Sequence, residues 1–171
     1  MDLMQMDLMQ AGALAKEIVG KLAPYCERIE VVGSIRREKP YPGDIDILLI
    51  PGNQGKLAVA LQALGEARSV GMKLSQRVYK GVQVDLYFAT PETWFTLLLI
   101  RTGSAKHNIK LTTLAKRKGW HLYANGRGLF NEREEQIAGE SEESFFYALS
   151  LPYAEPWKRE VVTENKRHFL R

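Results

Sequence analysis

The chain has 171 residues, 45% hydrophobic and 26% charged, the proportions of a globular protein able to bury a substantial core, which excludes a disordered or fibrous chain. Its 24 Lys and Arg against 20 Asp and Glu leave a formal net charge of +4, which permits a nucleic-acid partner without requiring one. One cysteine, Cys26, excludes an intrachain disulfide, and no apolar run reaches the roughly 18 residues of a membrane helix.

The start, MDLMQMDLMQ, repeats residues 1–5 as 6–10 and carries Asp2 and Asp7 without an early Lys or Arg, so it reads as a duplicated start and not as a secretory signal. A reducing cytoplasm, nucleoid or viral replication site is therefore the expected setting. Leu14, Ile18 and Leu22, four apart before Pro24, predict a helix over 11–23. β-rich runs at 29–35 and 44–50 predict two strands, separated by Pro40, Pro42 and Gly43. Leu57, Leu61 and Leu64 predict a short helix that Gly65 ends, and residues 67–80 read as strand around Gly71. Residues 82–88 alternate, with Val82, Val84, Leu86 and Phe88 on one face and Gln83, Asp85 and Tyr87 on the other. Pro91 opens an apolar helix through Ile100. Ser104 caps a helix over about 105–118 that Gly119 closes, 120–138 reads as short strands and turns, and Ser141 starts a last helix. The lobe boundary is expected near residues 90–103.

The most informative segment runs from Val31-Val32-Gly33-Ser34-Ile35-Arg36-Arg37 to Gly43-Asp44-Ile45-Asp46-Ile47. Residues two apart on a strand share a face, so Asp44 and Asp46 project together while Ile45 and Ile47 enter the core. Asp85 lies on the polar face of another predicted strand. If the two strands are neighbours, three carboxylates converge and repel one another, and oxygen-only ligands suit Mg²⁺ or Mn²⁺. An isolated Asp-x-Asp is more often a solvated strand end; the apolar frame, the Gly-Ser turn and the third Asp favour a metal site. Gly33 lets backbone N–H groups approach a phosphate, Ser34 adds a hydroxyl, and Arg37 offers a charge-assisted contact. Arg36 faces the other way and is open to a structural carboxylate partner.

At these residues the chain resembles the nucleotidyltransferase superfamily of the polymerase β type. The nearer resemblance is to family X DNA polymerases, on Gly33-Ser34-Ile35-Arg36-Arg37, Gly43-Asp44-Ile45-Asp46, Val84-Asp85-Leu86, Thr102-Gly103-Ser104 with Asn108, and Tyr153-Ala154-Glu155-Pro156. It implies an α+β fold: a nucleotidyltransferase palm of mixed sheet and flanking helices over 11–100, after the duplicated segment 1–10, and a small α/β C-terminal lobe over 101–171. It also implies that Asp44, Asp46 and Asp85 are catalytic, with Asp44 and Asp46 bridging two Mg²⁺ ions and Asp85 completing the site of the ion that activates a primer 3′-hydroxyl. Gly33, Ser34 and Arg37 would hold the triphosphate, Gly103 would lie near the sugar, and Asn108 would reach the minor-groove edge of the incoming nucleotide. Two positions depart from the family: Ile100-Arg101 replaces its Tyr-Phe pair, and Tyr87 stands where several relatives carry Arg. Only 32 residues precede Gly33, from which a reduced palm and C-terminal lobe without a lyase domain is expected.

Residues 101–128 hold seven Lys or Arg and no acid, whereas 132–143 hold six Glu and one Arg. A charge run is usually a solvated helix face; the absence of acid favours phosphate contact by Lys106, Lys110, Lys116, Arg117 and Lys118. His107, Trp120 and His121 read as packing before they read as base contacts, and Cys26, Trp94, Phe95, Phe145 and Phe146 as core. The expected protein is a monomeric, template-directed DNA polymerase that adds dNTPs to primer-template or gapped DNA in repair, with no membrane partner. Two other readings stay open: a template-independent, small-molecule or protein nucleotidyltransferase, and a non-catalytic DNA-binding module.

Overall fold

A computed structural model describes residues 5–160, so the first four residues of the N-terminal repeat and residues 161–171 of the C-terminal lobe lie outside the described residues. The first helix, α1 (Leu8–Leu22), starts three residues before the position that apolar spacing predicts. The reason is a capping box: Asp7 accepts from the Gln10 backbone while the Gln10 side chain accepts from the Asp7 backbone. The second copy of the repeat is thus part of the fold, with Met6 buried. Ala11, Ala15, Ile18 and Leu22 form the buried stripe and Leu14 sits at its margin, because a period of 3.6 drifts off a strict spacing of four.

The chain then forms β1 (Cys26–Val32), α2 (Gly33–Arg36), β2 (Ile45–Pro51), α3 (Gln54–Ala63), β3 (Glu66–Val70), β4 (Leu74–Tyr79) and β5 (Val82–Phe88). Two expectations need correction here. The first strand ends at Val32, and Gly33–Arg36 is one helical turn, since Gly33 takes φ +62° and reverses the chain at once. The second strand begins at Ile45, so Asp44 stands on its lip and Asp46 is inside it. The hairpin β3–β4 fills the stretch read as strand around Gly71.

These strands form one sheet in the order β1-β2-β5-β4-β3, antiparallel except for the parallel β2–β5 pair. A central strand buried on both faces reads as near-continuous apolar sequence, and β2 does so. Ile45, Ile47 and Leu49 pack with α1 and α3, while Leu48 and Ile50 face Trp94, Leu97 and Leu98 of α4 (Trp94–Thr102). The edge strand β3 is exposed throughout.

Beyond α4 come α5 (Ala105–Arg117), the antiparallel sheet β6 (His121–Tyr123), β7 (Gly128–Phe130) and β8 (Gln136–Ala138), and α6 (Glu142–Ala148). Leu111, Ala115, Leu122, Leu129, Phe145 and Phe146 make a second core, to which α4 contributes Leu99. One helix therefore serves both lobes, with Leu97 and Leu98 in the first and Leu99 in the second. Among the described residues, no helix is long and apolar enough to cross a membrane.

A buried ionic cluster fastens the lobes. Arg36 donates to both carboxylate oxygens of Glu142 and, through Nη1 at 2.7 Å, to the Thr102 hydroxyl. From the other side Arg159, fully buried, donates to Glu142 Oε2 at 2.6 Å. Burial would raise the Glu142 carboxyl, but the two guanidiniums outweigh it and hold the group below its ordinary range. Removing one partner of such a cluster strands buried charge. Glu142→Gln is therefore expected to cost about 3–5 kcal/mol at pH 7 by urea unfolding. A carboxyl with a lowered folded pKa stabilises above its unfolded value and loses that contribution in acid. The deficit of the variant should accordingly shrink as the pH falls below 4.5, the ordinary Glu value, through the folded one.

Candidate active site

The parallel pairing of β2 with β5 sets Asp46 directly beside Asp85 in register. Asp44 joins them from the strand lip, and the three carboxylates each present an oxygen within 4.8 Å of the others. Asp46 shares its face of β2 with Leu48 and Ile50, which α4 covers, so it is largely removed from water. Burial first, then the charges of Asp44 and Asp85, push its carboxyl up to about 7. Asp44 is raised by burial and by Asp85. The side chains around the triad are polar: Gln83 donates to both oxygens of Asp85 at 3.2 and 3.3 Å, and the Tyr87 hydroxyl donates to Asp46 at 3.4 Å. Arg101 lies over the Tyr87 ring, 4.2 Å from its centroid. Oxygen donors alone, crowded until one of them holds its proton near neutral pH, fit a hard divalent cation.

Gly33 sits against this triad. A Cβ there would overlap the Asp46 carboxylate and stand 2.9 Å from its Cβ, in a backbone conformation that side chains rarely adopt. Beside it, the Ser34 hydroxyl is buried without a hydrogen-bond partner. Arg37 donates through Nη1 to the Thr102 carbonyl and through Nε to Glu160, both at 2.6 Å. Gly103 ends α4 at φ +70° and is so close that a Cβ would lie 3.2 Å from Arg37 Nη1. The next peptide, Gly103–Ser104, is cis. Gly33, Ser34, Arg37 and Gly103 are thus neighbours of the triad or of one another, although they come from distant stretches of chain.

Asn108 projects from α5 toward α4, donating to the Ile100 carbonyl at 2.8 Å while its own side-chain oxygen is buried without a partner. Lys106, Lys110, Lys116, Arg117 and Lys118 are all exposed, and none forms an ion pair among the described residues. His107 is buried 5.7 Å from the Phe146 ring, and burial pushes its imidazole down to about 4, so it is a neutral packing residue. Trp120 lies under Lys118. Cys26 is half-buried, and burial raises its thiol to about 11, which leaves it protonated.

Glu142 and Glu160, the carboxylate partners of Arg36 and Arg37, and Arg159, which shares Glu142 with Arg36, were missed in the sequence. The open assignment of Arg36 is settled in favour of a structural carboxylate. The signal for Glu142 was the acidic swing over 132–143, but nothing local distinguishes it from five neighbouring glutamates.

Comparison with known proteins bears on these groupings. The family model described as the DNA polymerase beta thumb matches residues 97–160. A curated relative, the DNA polymerase/3′-5′ exonuclease PolX of Bacillus subtilis (strain 168), is 28% identical over 160 residues, covering 88% of this chain and 28% of that protein. The chain thus spans 28% of the length of that relative. Among solved structures, a Leishmania infantum polymerase beta crystallised as a ternary P/T complex superposes with a TM-score of 0.78 at 21% identity, over 92% of this chain and 77% of that one.

The raised Asp46 carboxyl has a measurable consequence. Its unfolded value is the ordinary 3.8 and its folded value about 7, so the folded chain binds the extra proton between them and loses stability as the pH climbs through that window. In chelator, Asp46→Asn is expected to be a few kcal/mol more stable than the wild type above pH 7. That advantage should fade toward pH 4, with melting temperature across pH as the readout. With an α+β fold like that of a polymerase beta, a match to the polymerase beta thumb over residues 97–160 and a convergent acid triad, this chain is similar to family X DNA polymerases.

Proposed function

We propose that the protein is a template-directed DNA polymerase that adds dNTPs to a primer 3′-hydroxyl in short gaps, as a monomer working in a reducing, cytoplasmic or nucleoid setting. The observation that carries this reading is the Asp44–Asp46–Asp85 cluster beside the Gly33–Ser34–Arg37 turn, with an acid-free basic helix one lobe away.

Asp44 and Asp46 would hold two Mg²⁺ ions, and Asp85 would complete the site nearer the primer; Mn²⁺ suits the same oxygens. Such ions acidify a hydroxyl and neutralise a triphosphate and its leaving pyrophosphate. The residues of the chain supply positioning. The Tyr87 hydroxyl and the β2–β5 register orient Asp46, and Gln83 orients Asp85, so that two carboxylates meet the ions with little reorganisation. Ser34, without a hydrogen-bond partner among the described residues, and Arg37 would take phosphate oxygens. Gly33 keeps the turn close enough for its backbone to join them. Gly103 and Asn108 would flank the sugar and base. Lys106, Lys110, Lys116, Arg117 and Lys118 would neutralise DNA phosphates, which makes binding salt-sensitive.

Extension of a one-nucleotide gap against each template base, with dNTPs and NTPs in parallel, tests this directly. The expected result is Mg²⁺-dependent addition of the complementary dNTP, lost by at least about a thousandfold in Asp46→Ala with DNA binding retained. Addition that ignores the template base would instead favour a template-independent nucleotidyltransferase, and an inactive wild type that binds DNA would favour a binding module. The basic lobe gives a separate expectation. Lys110→Ala should weaken DNA binding alike for all sequences and lower the slope of log affinity against log salt by about one.

A further inference from the structure

Arg37 is assigned to an incoming triphosphate, yet its Nε is engaged by the Glu160 carboxylate at 2.6 Å. The second oxygen of that carboxylate meets Lys39 Nζ at 3.4 Å. Nearby in sequence, the Ser34 hydroxyl is buried and unpartnered. The chain thus sets one of its own anions on two of the cations at the turn, and leaves unoccupied the neutral donor that an anion would also use. We propose that Glu160 is a displaceable stand-in for the nucleotide triphosphate: it neutralises Arg37 and Lys39 in the free protein, competes with the triphosphate, and gives way when the triphosphate binds.

The local architecture suits a side chain that moves on a fixed backbone. The preceding residue, Arg159, is fully buried; it donates to Glu142 and to the Ala154 carbonyl, and its own carbonyl accepts from Ser104 Oγ at 3.0 Å. Residue 159 is anchored while the Glu160 side chain remains about a third exposed, so release needs a rotamer change and not the unfolding of the segment. Arg37, whose side chain is only 14% exposed, keeps its bond to the Thr102 carbonyl and stays aimed while its Nε is free to exchange one anion for another. A triphosphate offers more charge and more acceptor oxygens than one carboxylate, so it wins the exchange. A smaller monoanion does not.

The inference rests on Arg37 being a triphosphate ligand, and the test separates the two. Tripolyphosphate binding without divalent metal is measured by calorimetry for the wild type, Arg37→Ala, Glu160→Gln and Glu143→Gln; the last is a surface change of identical charge. The expected pattern is lost affinity in Arg37→Ala, about three- to tenfold tighter binding in Glu160→Gln, and no change in Glu143→Gln. In gap filling, the dNTP KM of Glu160→Gln should fall with it. A merely structural ion pair would lower the melting temperature without tightening tripolyphosphate. If Arg37→Ala loses affinity but Glu160→Gln binds like the wild type or more weakly, the stand-in role is overturned and the triphosphate assignment survives. If Arg37→Ala binds like the wild type, both fall.

Discussion

The structure is organised around a repulsion. One parallel strand pair puts Asp46 beside Asp85, and Asp44 completes the group from the strand lip, with Asp85 buried and the other two half-buried. Electrostatics do not favour that arrangement, since burial and like charge both oppose ionisation of Asp46. The apolar packing of β2 on both faces is what holds it: Ile45, Ile47 and Leu49 on one side and Leu48 and Ile50 on the other leave the strand no alternative register. A site that costs stability when empty of cation is a site prepared to bind one.

Around this negative centre the positive charge is divided by a single residue step. Arg36 and Arg37 are neighbours, but the turn of α2 sends them to different work. Arg36 enters the cluster with Glu142 and Arg159, where three charges satisfy one another. Arg37 stays at the turn with its Nε on a carboxylate that is partly exposed. Both reach Thr102, Arg36 through the hydroxyl and Arg37 through the carbonyl. The end of α4 is therefore gripped by both arginines, one locked and one exchangeable.

What the sequence revealed and what it concealed divide along range. The alternation of Val82 to Phe88 needs only neighbours, and β5 sets Val82, Val84, Leu86 and Phe88 in one core, although Asp85 on the opposite face is buried as well. The Asp44–Asp46 pair needs only strand geometry, and Asp85 needs one further step, the adjacency of two strands, which the structure supplies. The α1 start was also local, in Asp7 and Gln10, but a capping signal carries less weight than apolar periodicity when a repeat blurs the chain start. The hidden features are pairings across long separations. Glu142 is 106 residues from Arg36 and Glu160 is 123 from Arg37, and no period or spacing links them. The departures at Tyr87 and at Ile100-Arg101, read one at a time in the sequence, prove to be partly one feature, because Arg101 stacks on Tyr87 and Tyr87 in turn touches Asp46.

That stack and the double grip on Thr102 act on the same helix. Arg101 and Thr102 are consecutive at the end of α4: the first reaches back over Tyr87 toward the acid triad, the second is held by the tandem arginines. One residue earlier, the Ile100 carbonyl receives Asn108 from α5. Three successive residues thus connect the acid triad, the Gly33–Arg37 turn and α5. Because Leu97 and Leu98 are fixed in the first core and Leu99 in the second, the helix cannot shift for one lobe alone.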